Sequence, residues 1–239
     1  MELNSQKIYD MMAGEYSDVS KKKEVYLSSV NQIVVNHAPD IIKYYLDAGA
    51  GDGIRSMILA QSVKAKYTIL IDSSREMVRL SKASNALEVH HTSIADYKSQ
   101  YKFKLITCLW NVLGHINSKG ERIESLINLG NMLDNDGIMI IDVSNKYNIN
   151  YGIHNVIKNL LTDYTPFKSY KSGWFNFRFK NQELPVYLHS PKEFRKMVQQ
   201  AGLKIVKFYG VDYSTGKVRV NSIFQGQSVF VIEKNNHLQ

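Results

Sequence analysis

The sequence predicts an α/β protein with a parallel, doubly wound sheet and helices on both faces. Two observations predict it. From Tyr44 to Asn145, short apolar, β-branched runs alternate with stretches whose apolar residues recur at helical spacing. The first such run, "IIKYYLD", leads directly into "AGAGDG", so its glycines sit at a strand-to-helix turn, where a ligand can approach bare backbone beside helix N-terminal amides. Right-handed crossovers between repeated β-α-β units then place ligand sites at the carboxyl ends of the strands.

The elements follow in order. Residues 1 to about 40 read as helical, with "VYLSSVNQIVVNHA" apolar at Val25, Leu27, Val30, Ile33 and Val34. After the glycine turn, "IRSMILAQS" shows helical spacing at Ile54, Met57, Ile58 and Gln61. Strand "YTILID", helix "SSREMVRLSKAS" and short strand "LEVHHTS" come next. They are followed by buried strand "KLITCLWNV", helix "GERIESLINLGNMLDNDG" ending at Gly137, and buried strand "IMIIDVSN". Residues 146 to 190 are aromatic-rich and break the alternation; within them "WFNFRFKN" reads as a two-faced strand. Helix "PKEFRKMVQQAG" and strands "LKIVKFYGV" and "QSVFVIEK" close the chain.

At 239 residues and 44% hydrophobic content, the chain suits one well-buried domain rather than two with separate cores. The polar start "MELNSQKIYD" does not suit a secretory signal, and no apolar run approaches the roughly 18 residues of a membrane span. A cytoplasmic protein without membrane contact is expected. The single cysteine, Cys108, lies in "LITCLW" and reads as a buried structural thiol. No Cys/His cluster has metal-ligand spacing, and the adjacent His90 and His91 point to opposite faces of a strand, so no metal site is expected. The net charge of +8 raises nucleic acid, membrane surface or an anionic substrate as partners, but apart from Lys21 to Lys23 it is spread, as on a solvated surface.

The glycine loop separates three ligand classes. Ile54 and Arg55 stand where a phosphate loop needs Lys and Ser/Thr. Counting from Gly49, the sixth position of a dinucleotide fingerprint is Ile54, with Gly53 one place early. Asp47, ending the strand, would repel a pyrophosphate but attract a cationic ligand, and S-adenosylmethionine carries an ammonium and a sulfonium. Acidic residues also end the next two strands: Asp72 can accept two vicinal ribose hydroxyls and Asp96 an adenine amino group, with Met77 as a flexible apolar wall against the base.

With these motifs the sequence resembles the class I S-adenosylmethionine-dependent methyltransferases, specifically their small-molecule type. "LDAGAGDG" matches the family's Asp-x-Gly-x-Gly-x-Gly loop, while "LIDSSREM" and "TSIADY" are similar to its ribose- and adenine-contacting segments. "IYDMMAGEYS" and "SPKEFRKMVQQAGLKIV" extend the likeness. The resemblance implies a seven-stranded sheet with the last strand inserted antiparallel. It also implies a donor-binding core at 41–145, flanked by a helical lid at 1–40, a substrate cap at 146–190 and a closing segment at 191–239. Donor contacts are expected from Tyr9, Tyr16, Asp47, Gly49, Ala50, Gly51, Asp72, Ser73, Met77, Ala95, Asp96, Trp110 and Asn111. The Asn/Asp-Pro-Pro-Tyr/Phe segment of DNA amino-methylating enzymes is replaced by "LWNVLGHI", and the Pro-Cys of cytosine C5 attack is missing.

Methyl transfer from a sulfonium consists largely of in-line alignment and exclusion of water, and a base matters only where the acceptor must lose a proton. His115, just beyond the fourth strand, suits that role or a packing role at the next helix. By the resemblance Tyr16 would pair with it as in phosphobase methyltransferases. Tyr151, Trp174, Arg178 and Tyr187, with His154, Phe175, Phe177 and His189, offer an aromatic enclosure for a cationic or planar acceptor, or a guanidinium for an anionic one. The expected function is methylation of a nitrogen or oxygen of a small molecule by a monomer or homodimer that binds no nucleic acid. An RNA or protein methyltransferase, and a non-catalytic donor-binding scaffold, are the alternatives.

Overall fold

The computed structural model describes residues 5–164, 173–179 and 182–235. Three helices open the chain: α1 (Ser5–Met12), α2 (Tyr16–Lys21) and α3 (Glu24–His37). α3 ends at Ala38, which is extended because Pro39 follows it. The alternating core is β1 (Tyr44–Ala48), α4 (Ile54–Ser62), β2 (Tyr67–Asp72), α5 (Arg75–Ser81), β3 (Glu88–His91), β4 (Phe103–Cys108), α6 (Lys119–Met132) and β5 (Leu133–Val143). α7 (Ile153–Tyr164) and a hairpin of β6 (Trp174–Phe179) and β7 (Gln182–Tyr187) follow, and α8 (Pro191–Gln200), β8 (Leu203–Val211), β9 (Val218–Val220) and β10 (Gln227–Lys234) complete the chain.

The main sheet runs β3-β2-β1-β4-β5-β10-β8-β9. β3, β2, β1, β4 and β5 pair in parallel, and β10 is inserted antiparallel between β5 and β8. Among the described residues this sheet has eight strands rather than seven, because the three-residue β9 pairs with the outer edge of β8. The strand order reverses at β1, so a crevice opens beyond the carboxyl ends of β1 and β4.

Alternate residues of one strand serve two cores. Tyr45 packs with Tyr26, Val30 and Ile33 of α3 and Leu59 of α4, whereas Leu46 packs with Leu126 and Leu129 of α6 and Phe194 of α8. Val229 and Val231 of β10 share the first side and Phe230 and Ile232 the second. Both faces being covered is why these strands read as continuous apolar runs.

One expected boundary moves, and one helix turns a different face to the sheet. Helix α6 stops at Met132, and "LDNDG" belongs to β5, because Leu133 pairs with Phe103 across an irregular register. In α4, Ile54 and Ile58 are exposed, and Ser56, Leu59 and Ala60 face the sheet instead. The hairpin forms its own two-stranded sheet, and Leu184 and Val186 of β7 pack on Ile8 and Met12 of α1. Among the described residues no helix is long and apolar enough to cross a membrane.

Candidate active site

The turn after β1 holds its three glycines at φ +82°, +58° and +77°, a left-handed region that side chains disfavour. Space excludes side chains too. A Cβ on Gly49 would stand 2.5 Å from Val112 Cγ2, and one on Gly51 would stand 3.0 Å from the Tyr16 hydroxyl. The Gly49 and Ala50 amides donate to the Ile71 carbonyl at 2.8 and 3.0 Å, tying the loop to β2. Gly51 N–H donates to Asp72 Oδ2 and Ser74 N–H to Asp72 Oδ1, both at 2.8 Å. Burial raises the Asp72 carboxyl from its ordinary value and these amide bonds pull it back, so each oxygen keeps a lone pair for a further donor.

A cavity of about 600 Å³ lies over this loop, a size suited to a small-molecule site. Its floor is Gly49, Gly51 and Ile71; Asp72 and Ser73 follow from β2, and Thr92 to Asp96 from the loop after β3. Ser93 and Asp96 bond each other locally, with Ser93 Oγ donating to Asp96 Oδ2 at 2.6 Å, and Asp96 remains exposed. Trp110, Val112 and His115 enter after β4, and Tyr9 and Tyr16 close the site from the N-terminal helices. Asp72, Asp96, Glu121 and Glu124 line the cavity, and among the described lining residues there is no Lys or Arg.

The Tyr9 hydroxyl stands 2.9 Å from His115 Nε2, with the rings edge to face at 5.2 Å. Burial pushes His115 down to about 4, so its imidazole is neutral at physiological pH. The phenol beside it is pushed the other way, mainly by burial and then by Asp72. Tyr9, not Tyr16, is thus the phenol on His115. Tyr16 covers Gly51 and packs against Trp110, with ring centroids 5.5 Å apart.

Trp110 and Asn111 are both left-handed, at φ +69° and +59°, a strain of about 1–3 kcal/mol each that surrounding contacts must hold. Asp142, next to last in β5, supplies the main one: it accepts the Asn111 amide at 2.6 Å and the Tyr26 hydroxyl at 2.8 Å. The Trp110 indole donates to the Tyr213 hydroxyl at 2.9 Å. Asn111 turns its side chain inward, where Oδ1 accepts the Ser144 amide at 2.8 Å, so it supports the loop without lining the cavity.

Several expected contacts are placed elsewhere. Asp47 is buried, its oxygens taken by Ser56 Oγ at 2.5 Å and Thr107 Oγ1 at 2.6 Å, so it contributes charge from behind the loop. Met77 is fully buried beneath α5 and does not line the cavity. Tyr151 is 40% exposed, and its hydroxyl accepts from Gln227. Trp174 and Tyr187 pack on each other and on Arg122, whose guanidinium lies 3.9 Å from the Tyr187 ring centroid. The Tyr187 hydroxyl bonds Glu193. These three lie outside the cavity wall. The Arg178 side chain lies outside the described residues.

Sequence reasoning missed Asp10, Val112, Asp142 and Tyr213. Asp142 carried a signal, as another acid near the end of a parallel strand; Val112 and Tyr213 are ordinary loop residues whose roles exist only in three dimensions. Among the described residues no group of three or more His, Cys, Asp or Glu is arranged to hold a metal.

A parallel sheet with one inserted antiparallel strand, and a glycine-cradled cavity at its switch point, define an S-adenosylmethionine-dependent methyltransferase of the class I fold. The residues fit that donor: Gly49 leaves no room for a Cβ against Val112, and Asp72 keeps open acceptor sites beside the loop. The chain belongs to the methyltransferase domain family, whose model matches residues 22–207. It is 24% identical to an uncharacterised protein of Methanocaldococcus jannaschii over 208 residues, 85% of this chain and 78% of that protein. A Clostridium acetobutylicum S-adenosylmethionine-dependent methyltransferase superimposes with TM-score 0.65 at 17% identity, over 96% of this chain and all of that one (100%). Burkholderia thailandensis 1,6-didemethyltoxoflavin-N1-methyltransferase, solved with bound S-adenosylhomocysteine, gives 0.65 at 14% identity over 97% and 87%.

Proposed function

We propose that this chain methylates a nitrogen, or an oxygen, of a small molecule that enters beside Tyr9 and His115. The observation that carries the reading is the neutral His115 hydrogen-bonded to Tyr9 on the cavity wall. A neutral imidazole and a phenol can together accept or donate a hydrogen bond at the acceptor atom, holding its lone pair in line while a proton leaves. The Burkholderia neighbour acts at nitrogen, which favours an amine over a hydroxyl. The carboxylate-lined cavity suits a cationic acceptor and opposes a polyanionic one such as RNA.

S-adenosylmethionine, when bound, supplies a methyl group already activated on a sulfonium. Asp72 would then accept the ribose hydroxyls, Ala95 and Asp96 would flank the adenine with Ser73 beside them, and the turn at Gly49, Ala50 and Gly51 would admit the methionine moiety against bare backbone. Tyr16 and Trp110 wall the donor from solvent, and Asp47 and Asn111 hold the loops from behind. Alignment of this kind supplies roughly 7–11 kcal/mol. The chain is organised as one domain with a lid at 1–40, a donor core at 41–145, a cap at 146–190 and a closing segment at 191–239. Tyr151, Trp174 and Tyr187 then act as support for the cap.

The test incubates the protein with S-adenosylmethionine and panels of amines, phenols and RNA, reading methylated product. Methylation of small amines is expected. His115→Ala should lower kcat about 10²- to 10⁴-fold with S-adenosylhomocysteine affinity nearly unchanged, whereas Asp72→Ala should weaken that affinity first, by about 1–3 kcal/mol. Methyl incorporation into RNA alone would sink the small-molecule reading.

A further inference from the structure

The donor is not purely cationic: its methionine moiety ends in a carboxylate beside the ammonium. The cavity presents four carboxylates and, among its described lining residues, no Lys or Arg, so that carboxylate meets no counter-charge on the visible wall. Burying it unpaired would cost several kcal/mol. A cation standing behind the wall at the glycine-loop end would meet that charge.

Arg55 is in that place. It is the second residue of α4, two positions beyond Gly53, and only half-buried, yet its Nη2 is buried with no hydrogen-bond partner. Its Nε donates to Asn31 Oδ1 at 2.8 Å, which orients the guanidinium against α3. The positive charge is felt at the cavity: burial raises the Tyr16 hydroxyl, and Arg55 is the group that pulls it back. Asp47 and Asp142 feel it too, but their oxygens are bonded to Ser56 and Thr107, and to Asn111 and Tyr26. No salt bridge among the described residues joins Arg55 to either. A buried, oriented guanidinium N–H without an acceptor is unusual, since buried polar atoms are nearly always bonded.

We propose that Arg55 binds the carboxylate of the donor's methionine moiety through this unpartnered Nη2, with Tyr16 moving aside or bridging as the donor seats. A guanidinium suits the task because its planar fork matches a carboxylate and stays charged at every working pH. Asn31 is then a positioning residue, holding Nε so that Nη2 faces the loop.

The experiment is a ligand cycle read by calorimetry, so it is independent of any acceptor. S-adenosylhomocysteine and its decarboxylated counterpart, S-adenosyl-3-thiopropylamine, are titrated into the wild-type protein and into Arg55→Gln. In the wild type, removing the carboxylate should weaken binding roughly 10- to 100-fold. In Arg55→Gln the two ligands should bind within about threefold of each other, because the partner of the carboxylate is gone. If the loss on decarboxylation is the same in both proteins, Arg55 does not touch the carboxylate and the proposal falls. Where Arg55→Gln fails to fold, Arg55→Met keeps the aliphatic stem without the charge. There too the two ligands should bind within about threefold of each other, and a loss equal to the wild type's overturns the proposal.

Discussion

At the scale of single residues, the site depends on what is absent as much as on what is present. Gly49 has a left-handed φ of +82°, and a Cβ there would strike Val112 at 2.5 Å. The two penalties can be separated. Gly49→Ala should destabilise the fold by a few kcal/mol and weaken S-adenosylhomocysteine binding, because both backbone and Val112 must shift. Adding Val112→Ala removes the clash but not the backbone strain, so the double variant should recover part of the stability and leave about 1–2 kcal/mol of deficit. Denaturant midpoints of the four proteins test this, and a double variant no better than Gly49→Ala would show that strain alone matters. The glycine spacing and the acids at 72 and 96 were legible in sequence because they are local requirements of a strand-helix turn. The fate of Asp47 was not. Its burial depends on Ser56, nine residues on, and on Thr107, sixty residues on, turning their hydroxyls toward it.

At the scale of elements, the strands and helices of the core were legible because each carries its own periodicity, and their errors lie where tertiary contact overrides it. "LDNDG" is polar enough to end a helix, yet pairing of Leu133 with Phe103 draws it into β5. The placement of α1 is a second case, since part of it comes from a carboxylate that sequence reasoning passed over. Asp10 of α1 accepts Ser74 Oγ at 2.6 Å and the Glu76 amide at 3.1 Å, while Ser74 Oγ in turn accepts the Met77 amide at 3.2 Å. One helix thus caps the start of another, next to Asp72. Removing an N-cap costs about 0.5–2 kcal/mol. Asp10→Ala should release α1, speed amide exchange across residues 5–21 and raise the dissociation constant of S-adenosylhomocysteine severalfold. Unchanged exchange in α1 would mean that Ile8 and Met12, packed on Leu184 and Val186, hold the helix without Asp10.

At the scale of the whole molecule, the buried titratable groups pull stability in opposite directions, and the signs can be worked out. Burial raises the carboxyls of Asp47, Asp72 and Asp142, so the folded state binds protons more tightly than the unfolded chain. That contribution favours folding as pH falls through their raised values. Burial lowers His115 from its ordinary value to about 4 and also lowers His189, so here the unfolded chain binds protons first. Their contribution is intact above the unfolded value and is lost as pH falls below it. The histidine window opens first on acidification and is the one a variant can isolate. Between pH 7 and 5, His115 alone should remove roughly 2 kcal/mol of stability. His115→Gln, which cannot charge, should therefore lose that much less than the wild type over the same interval, whatever its stability at pH 7. Urea unfolding at the two pH values measures both slopes. Equal slopes would mean that solvent reaches His115 through the cavity and that its imidazole titrates as an ordinary one. The neutral histidine assigned to the acceptor atom would then be a cation in mild acid, with an acid limb of activity near pH 6.5 instead of near 4.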